Sequence, residues 1–193
     1  MACQVDLFSG GNSDMPVTIS LLRGINVGGN KKIRMAELKA LYESLGFAHV
    51  QTLLQSGNVV FATDSDPVLL AGQLEAAILA TFGFESKIIL RTCAELRAIT
   101  EQHPYTAGQL AEPSKALVTF LAEAPDDTAI HTLLNDHQGP EALHVIGREA
   151  FAFYTDGAGR SKLTNVFIEK RLRTTGTARN WNTILKLRDL CGG

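Results

Sequence analysis

The chain has 193 residues, 45% of them apolar and 20% charged, a balance that suits a packed core rather than a disordered or fibrous chain. Its 18 Lys and Arg against 20 Asp and Glu leave a net charge of −2, and no apolar run approaches the length of a membrane span. The opening MACQVDLFSGGNSD has no cationic start, long apolar stretch or small-residue cleavage pattern, so no secretory signal is read there and a cytoplasmic location is expected.

In chain order, residues 1–14 have no sustained apolar period and are expected to form a flexible N-terminal extension. VTISLL (17–22) has the β-branched content of a strand, and residues 35–46 place Met35, Leu38, Leu41, Tyr42 and Leu45 at helical spacing before Gly46. VQTLLQ and NVVFAT flank Ser56-Gly57 as a hairpin. Asp66-Pro67 then caps a helix carrying Leu69, Leu70, Leu74, Ala77, Ile78 and Phe82, and ESKIILR (85–91) follows as a strand. The order β-α-β-β-α-β is the ferredoxin-like plan, with four strands in one sheet and two helices on one face.

A helix near 93–103 and a polar, proline-bearing connection lead to a second round of the same order: ALVTFLA as strand, 126–135 as helix, EALHVIG and AFAFYTD as hairpin, then a helix from about 162. A further helix at about 179–190 stands where the last strand would be. The expected fold class is therefore α+β, two tandem ferredoxin-like plaits, the second incomplete and ending in a helix. The expected domains are residues 15–107 and 108–193.

Cys3, Cys93 and Cys191 are odd in number and far apart, so they are expected to be free thiols. His49, His103, His131, His137 and His144 show none of the spacings of a zinc site, and surface positions are expected for them; no metal or cofactor is implied. Charge is unevenly spread. Residues 101–150 carry eight acids against two bases, residues 159–188 carry eight bases against Glu169, and residues 23–39 carry five bases against Glu37. The two basic segments bracket an acidic middle, and if they meet they form an anion-attracting face.

LLRGINVGGNKKI has the parts of an anion cradle. Gly24, Gly28 and Gly29 allow close backbone approach, Asn26 and Asn30 offer amides, and Arg23 and Lys31 supply charge ahead of a helix start. It has neither the P-loop nor the dinucleotide-binding spacing. LQSGNVVF places Ser56 and Asn58 beside a turn, with no nearby base to activate the serine. TDGAGRSKLTN repeats the strand-turn-helix theme with Arg160 and Lys162. TARNWNTILKLRDL holds the single tryptophan, Trp181, whose helical partners Ile184 and Leu185 make it a core anchor, with Arg179 and Asn180 at the helix start able to cap it or to face a ligand.

LLRGINVGG, QSGNVVF, GRSKLTN and RNWNTILKL together resemble the bacterial family known as domain of unknown function 1697, over nearly the whole chain from Met15. The resemblance implies a pair of related α+β plaits and carries no established activity. Its typical positions are Arg23, Gly24, Asn26, Gly28, Gly29, Gln55, Ser56, Gly57, Asn58, Ser161, Lys162, Leu163, Arg179, Asn180, Trp181, Asn182 and Thr183, none with a known role. Ala178 departs from it, since a second threonine is expected before the arginine.

The expected function is the binding of a small phosphorylated or otherwise anionic ligand in a cleft between the two halves, with Arg23, Asn26, Gly28, Gly29, Asn30, Lys31, Ser56, Asn58, Arg160, Lys162, Arg179 and Asn180 as candidate contacts. Whether a reaction occurs there is open. A nucleic-acid module is the second reading and is disfavoured, because VTISLL has no aromatic and NVVFAT only Phe61, so a base-stacking platform is missing. A non-catalytic interaction scaffold is the third. No membrane partner is expected, and the sequence leaves the oligomeric state open.

Overall fold

A computed structural model describes residues 15–29 and 31–192; the expected N-terminal extension, Cys3 and Asn30 lie outside the described residues. The chain divides into two compact units. The first runs to Arg97 and takes in the chain again from Leu187 onward; the second is Ala98–Lys186. Both combine helices with a four-stranded antiparallel sheet.

In the first unit the order is β1 (Val17–Leu22), α1 (Met35–Ser44), β2 (Ala48–Leu53), β3 (Asn58–Ala62), α2 (Pro67–Phe82) and β4 (Ile88–Thr92). The sheet order is β2-β3-β1-β4, and Ile19 of β1 stands between Val60 of β3 and Arg91 of β4. The helix signals act as their residue types dictate. The Asp66 carboxylate accepts the Val68 N–H at 2.8 Å, Pro67 fills the first helical position, and Gly83 ends α2 at φ 76°. Leu38 and Tyr42 of α1 and Leu70, Leu74 and Ile78 of α2 bury against Leu22, Val59, Phe61 and Ile88. Each such side chain contributes about 1.5–3 kcal/mol on leaving water. A polar pair in this layer is satisfied internally, Ser20 Oγ lying 2.6 Å from Tyr42 Oη.

α3 (Cys93–Glu101) begins directly at the end of β4. Here the fold corrects the expectation of free thiols: Cys93 and Cys191 are joined in a disulfide, with Cα atoms 5.6 Å apart. The partners are 98 residues apart in sequence, and no local spacing announces a pair that forms only when the chain returns to the first unit.

After the short α4 (Ala107–Leu110), closed by a Thr106–Gln109 capping box, come β5 (Ala116–Leu121), α5 (Asp127–Asp136), β6 (Ala142–Ile146), β7 (Glu149–Phe153), α6 (Asn165–Leu172), β8 (Gly176–Asn180) and α7 (Trp181–Leu190). The sheet order is β6-β7-β5-β8. The second set is thus not incomplete: β8 supplies the last strand, directly before the helix expected at about 179–190, which is present as α7. The strand pairs along β5 from Leu117↔Asn180 to Leu121↔Gly176. This ladder holds Arg179 and Asn180 in the strand, and the Asn180 side chain starts α7, accepting the Asn182 N–H at 3.0 Å. On one face of the sheet, Leu121, Ala150, Ala152, Leu133 and Ile168 form the core. Trp181, 3% exposed, packs edge-on to Tyr105 and His103 at 5.2 and 5.1 Å, and Tyr105 in turn packs edge-on to Phe151. Among the described residues, no helix is long and apolar enough to cross a membrane.

Candidate functional site

The segment around Arg23–Gly29 is held by backbone bonds, Arg23 N–H to the Lys87 carbonyl and Asn26 N–H to the Lys31 carbonyl, and by the Asn26 side chain. Asn26, at φ 55°, donates to the Ile33 carbonyl at 3.0 Å and to the Gln55 carbonyl at 2.8 Å, and accepts the Ile33 N–H at 2.9 Å. Its amide therefore ties the loop to the β2–β3 turn. Gly28 and Gly29 have φ of 64° and 81° with open space where a Cβ would stand, so left-handed backbone, not close packing, is what requires glycine there. At the turn, Asn58 is fully buried and donates to the Leu53 carbonyl at 2.7 Å and to Ser56 Oγ at 3.0 Å.

Two of the expected basic residues, Arg23 and Lys31, do meet. They line a cavity of about 420 Å³ with Glu75, Glu85, Ser86 and Lys87. The cations there already serve the fold. Lys31 Nζ donates to the Glu85 carbonyl at 2.6 Å, and Lys87 Nζ pairs with Glu75 at 2.7 Å, which holds the Lys87 pKa above the ordinary lysine value. Glu75 also accepts the Ile88 N–H at 3.0 Å, and Ser86 Oγ donates to the Arg23 carbonyl at 3.0 Å. This wall is a brace between α2, the Arg23 loop and β4.

Arg160 and Lys162 stand differently. They line a cavity of about 560 Å³ in the second unit, between the end of α5 and the turn that precedes α6. Both are exposed, and neither side chain has a hydrogen-bond or ion-pair partner among the described residues. The remaining wall includes Asp136, His137, Gly139, Glu141, Asp156, Ser161 and Phe167. Asp136 is paired with Arg171 at 2.6 Å. Ser161 Oγ donates to Glu141 Oε1 and accepts the Leu163 N–H at 2.9 Å. His137 Nε2 lies 3.0 Å from the Glu141 carbonyl oxygen and 3.7 Å from Glu141 Oε2. Thr164 closes the turn by capping α6 through the Phe167 N–H at 3.1 Å.

Arg179 and Asn180 line neither cavity. Arg179 is 5% exposed, donates to Thr177 Oγ1 and the Ala178 carbonyl at 2.8 Å each, and is pushed down to about 10 by burial. Asn180 grips the chain before β5, donating to the Ser114 carbonyl at 2.8 Å. The two glycine-rich turns are also not equivalent within the repeated plan. One follows the first strand of its set and the other the third, and these strands run antiparallel, so the counterpart of the Arg23 loop is the short link 122–126.

His137, Gly139, Glu141 and Asp156 are absent from the sequence-derived contacts. His137 was expected at the surface, yet its side chain is 11% exposed. The available signal is HQGPE, where Gly-Pro folds an acid back toward a histidine four residues earlier. Arg91 is a second omission: it is 2% exposed and occupies on β4 the register that Arg179 occupies on β8. Among the described residues no group of His, Cys, Asp and Glu is arranged to hold a metal ion.

A family model described as a protein of unknown function, DUF1697, matches residues 15–151. No curated protein is significantly similar to the chain. Among solved structures, the conserved bacterial protein SP0830 from Streptococcus pneumoniae is similar in fold, with a TM-score of 0.71 at 22% identity, over 92% of this chain and 99% of that one.

Proposed function

We infer that this chain, which belongs to the DUF1697 family of proteins of unknown function, binds a small phosphorylated or otherwise anionic molecule in the cavity of its second unit. The observation that carries this reading is that Arg160 and Lys162 line a cavity of about 560 Å³ without a protein partner, whereas Lys31 and Lys87 beside Arg23 are committed to Glu85 and Glu75. Two cations on one turn attract an anion, and a concave wall removes part of its hydration. Each unit is read as a ferredoxin-like plait, supported by the order β-α-β-β-α-β and by a first strand flanked by the third and fourth. The contacts proposed for the ligand are Arg160, Lys162 and the polar groups of His137 and Ser161; Arg23, Asn26, Ser56, Asn58, Arg179 and Asn180 serve the fold.

A thermal-shift screen of small phosphorylated metabolites, nucleotides and short oligonucleotides tests this. A ligand at about 100 times its Kd adds roughly 2.7 kcal/mol, a shift well within reach of the method. The expected result is stabilisation by small phosphorylated compounds that is lost in an R160A/K162A variant. Stabilisation by oligonucleotides alone, falling with salt at a log-log slope near −0.7 per phosphate contact, would support the nucleic-acid reading. A flat screen would favour the scaffold.

A further inference from the structure

We propose that the molecule bound in this cavity is a zwitterion, its anionic group held by Arg160 and Lys162 and a positively charged nitrogen held by Glu141; this rests on the anion-binding reading above. The cavity wall carries both signs. Asp136 is paired with Arg171 at 2.6 Å, which leaves Glu141 and Asp156 as the other carboxylates lining the cavity with Arg160 and Lys162. A ligand bearing only negative charge would satisfy one half of that wall and be repelled by the other. A ligand with a charge of each sign complements both.

Glu141 is built into place. Its side chain is 8% exposed, and Ser161 donates to Oε1. Oε2 has His137 Nε2 only at 3.7 Å, beyond hydrogen-bond distance, since that nitrogen lies 3.0 Å from the Glu141 carbonyl. Gly139 makes room for this oxygen. It does not have a positive φ, so backbone conformation does not require glycine, yet a Cβ there would overlap Glu141 Oε2 and approach His137 Cε1 to 2.9 Å. A desolvated carboxylate with one oxygen engaged and the other short of a donor is suited to accept an ammonium or similar cation. Leu163 and Phe167 add apolar surface to the same cavity.

Calorimetric titration of the full chain with two probes tests this. Ethyl phosphate carries the anion alone; O-phosphoethanolamine adds one ammonium at nearly the same size. The expected result is binding of both, with O-phosphoethanolamine tighter by about tenfold or more, the scale of one charge-assisted hydrogen bond. In an E141Q variant that ratio falls toward one. Equal affinity of the two probes for the unaltered chain overturns the zwitterion and leaves the anion site standing, and this comparison does not depend on the variant folding. Binding of neither probe overturns both readings.

Discussion

Ser161 and Glu141, twenty residues apart in the chain, are joined by a hydroxyl-to-carboxylate hydrogen bond on the wall of a cavity in the second unit. The bond fastens the turn before α6 to the segment that leads into β6. Ser161 Oγ also accepts the Leu163 N–H at 2.9 Å, so one hydroxyl satisfies two neighbours.

Removing that hydroxyl leaves a largely buried carboxylate with one donor fewer. Ser161→Ala is expected to destabilise the chain by about 1–3 kcal/mol in urea unfolding. Gly139→Ala is expected to cost a similar amount, because its Cβ displaces the same carboxylate. Since both act through Glu141, a double-mutant cycle should show a coupling of roughly 0.5–3 kcal/mol. Strict additivity would place the two changes in separate environments.

The three tyrosines give an alkaline signature. Burial pushes Tyr42 and Tyr105 well above the ordinary phenol range, and burial with the Glu141 charge nearby raises Tyr154 to about 12. A raised folded pKa stabilises the fold fully below the unfolded value of about 10 and loses that contribution as pH climbs through the folded value. Arg179 runs the other way: lowered to about 10, it costs stability below that pH and regains it toward its unfolded value. Absorbance at the tyrosinate band should therefore stay low in the native chain at pH 10 and rise near pH 12 or on unfolding, whereas the denatured chain titrates near 10. Native-state titration centred near 10 would put the phenols in water.

The Cys93–Cys191 bond predicts a thiol count. Of three cysteines, only Cys3 remains outside the bond, so alkylation of unreduced, denatured protein should modify one and alkylation after reduction three. A Cys191→Ser variant should lose about 2–4 kcal/mol, because the disulfide closes a long loop of the unfolded chain. Three reactive thiols before reduction would contradict the pairing.

Trp181→Ala is expected to cost about 3–5 kcal/mol, the usual loss for a buried large aromatic. The residue is 3% exposed and its ring packs edge-on to Tyr105 and His103. Urea unfolding followed by far-UV circular dichroism checks it, and a loss below about 1 kcal/mol would contradict the buried position.

Most of the fold was legible because local signals and tertiary demands agree. Asp66-Pro67 caps α2, Gly46 sits at the end of α1, and the alternation in VTISLL matches a central strand. Legibility failed where distant chain decided the outcome. Gly176–Asn180 reads as the approach to a helix until β5 is beside it, and Cys191 reads as a free thiol until Cys93 is opposite it. In the candidate site, Arg160 and Lys162 were readable as basic residues on a turn. Glu141 and His137 were not, because HQGPE gains its meaning only when Ser161, twenty residues on, supplies the hydrogen bond. The candidate contacts assigned to Asn26, Asn58 and Asn180 show the converse limit: an amide suited to a ligand is equally suited to a backbone carbonyl, and sequence does not say which it meets.

The proposed anion site is the cavity between the end of α5 and the turn before α6. Its most direct test is a two-dimensional amide NMR titration of the full chain with O-phosphoethanolamine. Saturable shifts are expected to concentrate at residues 136–141 and 156–163 and to be lost in the R160A/K162A variant. Shifts concentrated instead around Arg23, Lys31 and Lys87, or no saturable shift at all, would contradict it.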